Sequence, residues 1–223
     1  MDFRHEWKHE INYSDLLIIR QRLRAVAKPD ENAVNGRYMI RSLYFDSPTD
    51  KVLREKLNGQ MYREKFRIRY YNGNTDDIIL EKKSKYNTLG TKEKTSLSIP
   101  QAQAIAANDY FWMHENKDPL ISELYYKMTT QGLRPKTIVD YIREPFVYAP
   151  GNVRVTMDYD IRTGLRCTDF LNLDCPMISP VDAPIILEVK WDAFLPSVIR
   201  DAVQLPGRFT ESFSKYSVCR KFG

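Results

Sequence analysis

The sequence predicts an α+β protein whose antiparallel strands each carry one charged and one apolar face, with helices available to cover the apolar ones. Three observations lead there. Tyr62–Tyr71 sorts its residues with a period of two: Arg63, Lys65, Arg67 and Arg69 fall on one face, Tyr62, Phe66, Ile68 and Tyr70 on the other, and Glu64 is the misfit. The same split recurs at Ile78–Lys83, Val139–Arg143, Val153–Ile161 and Ile185–Lys190, where Glu81 and Lys83, Tyr141 and Arg143, Arg154 with Asp158, and Glu188 with Lys190 share charged faces. Capped segments with apolar stripes lie between these strands. Like charges in a row along one strand repel, so such a face is either fully solvated or meets something strongly anionic. Two architectures satisfy this. One is an open sandwich with its charged faces in water; the other is a closed barrel whose lumen is a basic tunnel containing oxygen ligands for a metal.

Taken in order, Phe3–Asn12 alternates Glu6, Lys8 and Glu10 with His5, Trp7 and Ile11 and reads as a first strand. Ser14 is the expected cap of a helix over Asp15–Ala27 that turns Leu16, Leu17, Ile19, Leu23 and Val26 toward a core and stops before Pro29. Arg37–Asp46 is the next strand. Ser47-Pro48 and Asn58-Gly59 frame a short helix, Pro48–Leu57, ahead of the basic strand. Asn72–Asp77 is expected to be a turn, Ser84–Thr91 a loop, and Lys92–Ser98 a strand with Lys92 and Lys94 on one face. Helices follow at Pro100–Ala107 and Pro119–Gln131, the second framed by Asp118-Pro119 and Gly132. Val139–Arg143 and Val153–Ile161 form a hairpin around Pro150-Gly151, and the less patterned Arg162–Asp182 leads to Ile185–Lys190. Pro196–Leu205 is helical, and the tail Glu211–Lys221 contains Ser-Phe-Ser-Lys-Tyr.

Composition narrows the function classes. The 223 residues are 43% hydrophobic and 28% charged, enough to bury a core in one domain spanning 1–223. A net charge of +5 is low for a general nucleic-acid binder, so the basic residues matter through where they cluster, and no aromatic–basic platform for single strands is evident. Cys167, Cys175 and Cys219 form no CxxC pair, which argues for reduced thiols in a cytoplasmic chain and against a zinc site. His5, His9 and His114 show no ligand spacing. No run approaches a membrane span, and Met-Asp-Phe-Arg-His-Glu lacks the apolar core of a signal peptide.

Seven short segments in order, Ser42-Leu43-Tyr44-Phe45-Asp46, Lys65-Phe66-Arg67-Ile68-Arg69, Leu80-Glu81-Lys82-Lys83, Tyr141-Ile142-Arg143-Glu144-Pro145-Phe146, Arg154-Val155-Thr156-Met157-Asp158, Leu187-Glu188-Val189-Lys190 and Ser212-Phe213-Ser214-Lys215-Tyr216, resemble the VTC (vacuolar transporter chaperone) domain in a bacterial-type stand-alone form. The resemblance spans nearly the whole chain and implies a triphosphate tunnel metalloenzyme, a closed antiparallel β-barrel with flanking helices. It implies a polyphosphate polymerase that transfers the γ-phosphate of ATP to a growing inorganic polyphosphate chain with Mn²⁺ or Mg²⁺. A triphosphatase of the same fold, or a non-catalytic polyphosphate-binding module, is the alternative.

Carried over position by position, the catalytic cations are Arg67, Arg69, Lys83, Arg143, Arg154 and Lys215, and Glu188 is the metal-binding glutamate. Lys8, Lys92, Lys94, Tyr141, Lys190 and Ser214 complete the substrate-binding set. Lys92-Glu93-Lys94 departs from the usual Lys-x-Arg, which keeps the charge and loses the bidentate fork. The hydrolytic branch opens with Glu-x-Glu-x-Lys, whereas here Arg4 stands in the place of the first glutamate, which favours the polymerase. The resemblance also implies ATP and polyphosphate as partners, no nucleic acid, and a location at the inner face of the membrane through a membrane-protein partner.

Phosphoryl transfer asks a protein for in-line positioning and for neutralisation of charge, which fixed arginines and lysines supply. No general base is obvious. A polymerase tolerates that, because its acceptor is already an anion, while a triphosphatase must orient a water, for which Glu6, Glu81 or Asp158 is available. Glu81 is read either as a metal ligand or as a cross-strand salt-bridge partner.

Overall fold

The computed structural model describes residues 4–87, 89–210 and 212–220. Phe3, Glu211 and Lys221, at the ends of two predicted segments, lie outside them. In chain order the elements are β1 (His5–Ile11), α1 (Tyr13–Val26), β2 (Lys28–Pro29), β3 (Tyr38–Asp46), α2 (Lys51–Leu57), β4 (Tyr62–Tyr71), β5 (Asn74–Tyr86), β6 (Leu89–Leu97), α3 (Ile99–Ala106), α4 (Pro119–Thr130), β7 (Arg134–Tyr148), β8 (Val153–Thr163), β9 (Ile185–Trp191), α5 (Ser197–Val203) and α6 (Lys215–Cys219). They fall into two compact units, one of Met1–Met39, Tyr141–Ile161 and Val181–Ser214, the other of Ile40–Asp140, Arg162–Pro180 and Lys215–Gly223.

In the first unit the strand order is β1-β9-β8-β7, with β7 contributing residues 141–148. The register sets Lys8 opposite Glu188 and Glu6 opposite Lys190 on one side of β9, and Thr156 opposite Glu188 and Arg154 opposite Lys190 on the other. Alternation therefore keeps Ile186, opposite Glu10 and Asp158, on the side of Glu188 and puts Leu187 and Val189 on the reverse face. There Ile11, Val155, Met157, Leu187 and Val189 join Leu16, Ile19 and Leu23 of α1 and Ile199, Ala202 and Val203 of α5 in one core. Burying each α1 side chain contributes about 1.5–3 kcal/mol. The cap of α1 is Asn12 in place of the expected Ser14: Asn12 is extended, its side chain accepts from the Asp15 amide, and Asp15 accepts in return from the Asn12 amide.

The turn between β7 and β8 needs a glycine. Gly151 has φ +74°, and a Cβ there would sit 2.4 Å from the Phe194 carbonyl oxygen. Gly151→Ala is expected to lower stability by about 1–3 kcal/mol, read as the shift in a urea unfolding midpoint at unchanged slope.

In the second unit the order is β3-β4-β5-β6. The expected turn over Asn72–Asp77 shrinks to Asn72 and Gly73, both at positive φ, because this pair closes a two-residue hairpin and releases Asn74 onward to the ladder. Most of the expected loop over Ser84–Thr91 is likewise paired strand, with Ser84 opposite Thr91 and Tyr86 opposite Leu89, while Thr88 lies outside the described residues. Phe66, Ile68, Tyr70, Ile78 and Leu80 pack against Ala102 and Ile105 of α3 and Leu120, Ile121, Leu124 and Met128 of α4. Ser98 with Gln101, and Asp118 ahead of Pro119, cap these helices as their sequences require. α2 starts at Lys51, three residues later than expected, because the buried Asp46 carboxylate receives the Ser47, Val52 and Leu53 amides and Asp50 is left-handed. A buried ion pair braces the unit: Arg41 donates from Nε and Nη2 to Asp140 at 2.8–3.1 Å, across 99 positions of sequence.

The α+β class with antiparallel strands is thus observed. The hydrogen-bonded closure of a barrel is not: the ladder ends at β1 and β6, and no pairing joins those two among the described residues. β6 is exposed from Leu89 to Lys94, and its charged side chains suit a free edge. No helix among the described residues is long and apolar enough to cross a membrane.

Candidate functional site

In the second unit the register stacks charged side chains into rows across one sheet face. Tyr44, Arg67, Glu81 and Lys94 form one row, and Lys65, Lys83 and Lys92 the next. Arg67 and Arg69 are buried, so the face of β4 is not the solvated side of an ordinary antiparallel strand. Both converge on Glu81, which is 1% exposed: Arg67 reaches Oε2 from Nη2 at 2.6 Å, Arg69 from Nε at 3.4 Å, and Lys92 contacts Oε1. Burial opposes the charge on Glu81, but the two arginines and Lys92 outweigh it and hold the carboxyl far below the usual carboxylate range. Glu81 thus makes the cross-strand salt bridges that its sequence context allowed.

The first unit builds a second charged face around Glu188. Lys190 contacts Glu188 Oε1, Arg143 Nη2 lies 3.9 Å from Oε2, and Lys8, facing Glu188 in register, pairs with Glu6 at 2.6 Å. Burial again resists the charge, and Lys190, Lys8 and Arg143 hold the Glu188 carboxyl well below its ordinary value. Arg143 forks onto Asp158 at 2.6 and 2.7 Å; its burial is more than offset by Asp158, which keeps it firmly cationic. Arg154 bonds Asp30 at 2.8 Å and the Tyr38 hydroxyl at 2.6 Å.

The sign of the acid response follows from these depressed carboxyls. Glu81 and Glu188 stabilise the fold at any pH above the unfolded carboxylate value of about 4.3, and that stability is lost as pH falls through their lower folded values. Glu81→Gln and Glu188→Gln are expected to flatten the fall of melting temperature below about pH 4 and to leave its slope between pH 5 and 7 unchanged, as measured by thermal melts across that range.

Each unit therefore brings its own share of the predicted residues together. Arg67, Arg69, Lys83, Lys92 and Lys94 share the face in the second unit, and Lys8, Arg143, Arg154, Glu188 and Lys190 that in the first. Ser214 directly precedes α6, and Lys215 is its first residue. Sequence reasoning missed the aromatic backing of the arginines. Tyr44 accepts from Arg67 at 2.9 Å, Tyr71 from Arg69 at 3.0 Å and Tyr38 from Arg154 at 2.6 Å, while the Tyr141 ring lies 5.6 Å from the Arg143 guanidinium. Of these, the sequence marks only Tyr141 as a ligand, through Tyr-x-Arg. Asp30 was missed too, since it sits in a polar run that reads as loop. Arg4, in the place of a hydrolytic glutamate, is held by Asp192 at 2.9 Å.

Among the described residues no cluster of three or more His, Cys, Asp or Glu could hold a metal by itself. The donor set fits a hard divalent ion bound through one ionised carboxylate with phosphate and water completing the shell, as Mg²⁺ commonly is. It does not fit an all-protein cage.

The profile of the VTC domain matches residues 3–222. The chain belongs to the VTC domain family. No curated protein sequence matches this VTC domain. Among solved structures it is similar to the PH1819 protein of Pyrococcus horikoshii OT3, at 12% identity and a TM-score of 0.50 over 96% of this chain and 94% of that one. It is also similar to a candidate adenylate cyclase of Bacillus halodurans, at 9% identity and a TM-score of 0.52 over 90% of this chain and 86% of that one. At such identities these likenesses establish the fold shared with the VTC domain, and nothing about its substrate.

Proposed function

We propose that this VTC domain, acting as one unit over 1–223, is a polyphosphate polymerase that moves the γ-phosphate of ATP onto the end of an inorganic polyphosphate chain. The in-register lysines carry the proposal. Lys65, Lys83 and Lys92 stand directly across from one another beside the row of Arg67 and Lys94, and even with Lys92 on Glu81 this concentration of cations suits an anionic ligand. Successive rows lie about 7 Å apart along the strands, so the cations form a track, which suits a chain of phosphates better than a single small anion.

In the transfer, a terminal oxygen of the polyphosphate attacks the γ-phosphorus, the bond from that phosphorus to the bridging oxygen of ADP breaks, and ADP leaves with the electron pair. The acceptor oxygen is already anionic and gives up no proton. Arg67 and Arg69, held by Glu81 and their tyrosines, and Arg143, held by Asp158, act as preorganised donors for phosphate oxygens, with Arg154, Lys8 and Lys215 adding charge. Lys83, Lys92, Lys94, Lys190, Tyr141 and Ser214 bind the polyanion. Glu188 would hold Mn²⁺ or Mg²⁺, which would supply positive charge to offset that on the transferred group. A triphosphate tunnel, a cytoplasmic location and a membrane-protein partner belong to the same proposal on the strength of family membership.

Incubation with ATP and either metal, followed by a polyphosphate-stained gel, tests the reaction; a ladder of long products is expected. Tripolyphosphate at a hundred times its Kd should stabilise the protein by about 2.7 kcal/mol, a rise of roughly 5–10 °C in melting temperature. A triphosphatase is the second reading. Glu6 favours it: at 38% side-chain exposure beside Lys8, it is open to a water that Glu188 and Asp158, at 7% and 0%, cannot easily reach. Orthophosphate and ADP without polymer, with rapid cleavage of tripolyphosphate, would select it.

A further inference from the structure

One end of the β4–β5–β6 sheet exposes apolar side chains that neither core uses. Leu57, Met61, Tyr62, Tyr86 and Leu89 are each 49–65% exposed. They are neighbours by pairing: Tyr62 lies opposite Tyr86, Tyr86 opposite Leu89, and the Asn87 amide donates to the Met61 carbonyl at 2.8 Å. Leu57 closes α2 just upstream. Every charge within segments 56–63 and 84–91 is positive, from Lys56, Arg63 and Lys85, and no aspartate or glutamate occurs there. The flanking carboxylates are engaged elsewhere, Glu55 with Lys51 at 3.8 Å, Glu64 with Lys127 and Glu93 with Lys82 at 3.4 Å.

We propose that this tip docks on an anionic membrane surface. Its net positive charge suits a negative surface, and its leucine, methionine and tyrosine side chains would gain nothing from polyphosphate, which has no apolar surface. A protein partner fits less well, since a stable interface recruits roughly 20–30 residues a side and a hairpin end supplies far fewer. Interfacial insertion needs only a few apolar side chains at headgroup depth, tyrosine is favoured at that level, and lysine or arginine around them meets the lipid phosphates. The inference stands on the tip alone and does not depend on the reaction proposed above.

Co-sedimentation of the whole chain with vesicles of phosphatidylserine and phosphatidylcholine, against phosphatidylcholine alone, tests it with saturating tripolyphosphate present to occupy the arginine and lysine faces. Binding only to the anionic vesicles is expected, falling at least tenfold in Met61→Ser/Leu89→Ser and in Lys85→Glu. Both variants should keep the parent melting temperature, which shows that they fold. No binding by the parent chain, equal binding to both vesicles, or binding unmoved by the variants would each overturn the proposal, and capture by an acidic protein without vesicle binding would replace it.

Discussion

Glu188→Gln is expected to reduce metal-dependent turnover of ATP by at least about a hundredfold, the scale on which removal of one preorganised charge-stabilising group acts, while tripolyphosphate still raises the melting temperature. The substitution keeps the shape of a side chain that is 5% exposed and removes its charge. Lys190, Lys8 and Arg143, which now spend part of their field on Glu188, become more available to phosphate, so anion affinity holds or rises. Loss of turnover together with loss of the tripolyphosphate shift would point to misfolding of the site. Unchanged turnover would remove Glu188 from the metal role. The two readouts, product on a gel and a thermal shift, separate catalysis from binding in one preparation.

Arg41→Met is expected to be the most damaging single change to stability, costing about 3–5 kcal/mol and lowering the melting temperature by roughly 6–20 °C. Asp140 would be left as a buried carboxylate without the guanidinium that now forks onto it, and the Asn172 carbonyl would lose the Arg41 Nη1 donor. Arg41→Met/Asp140→Leu should recover much of the loss, since removing both members of a buried pair spares the protein an uncompensated charge. Urea unfolding of the single and double variants measures the coupling. A single variant within 1 kcal/mol of the parent would mean that Asp140 rehydrates or finds another partner.

The strand faces, the cap at Asp118 and membership of the VTC domain family were legible along the chain, because these depend on alternation, spacing and short ordered motifs, whereas Ser98, read as the end of a strand, proved to cap α3. The sequence also placed Arg67 and Arg69 with Glu81 and Lys83 on charged faces of neighbouring strands, as β4 and β5 are. Tertiary structure alone decided the rest. Whether the charged face of β4 is wet or buried depends on what covers it, and Arg67 and Arg69 are buried. Strand limits depended on cross-strand register, so Asn74, Ser84–Tyr86 and Leu89–Thr91 read as turn or loop until their pairing partners were in place. The partners of the key cations were equally invisible. Tyr38 lies 116 positions from Arg154, and Asp140 lies 99 from Arg41. Local periodicity is a property of the backbone and can be read along the chain, whereas the choice of which carboxylate or hydroxyl answers a buried cation is made by packing, between residues whose separation in sequence carries no signal.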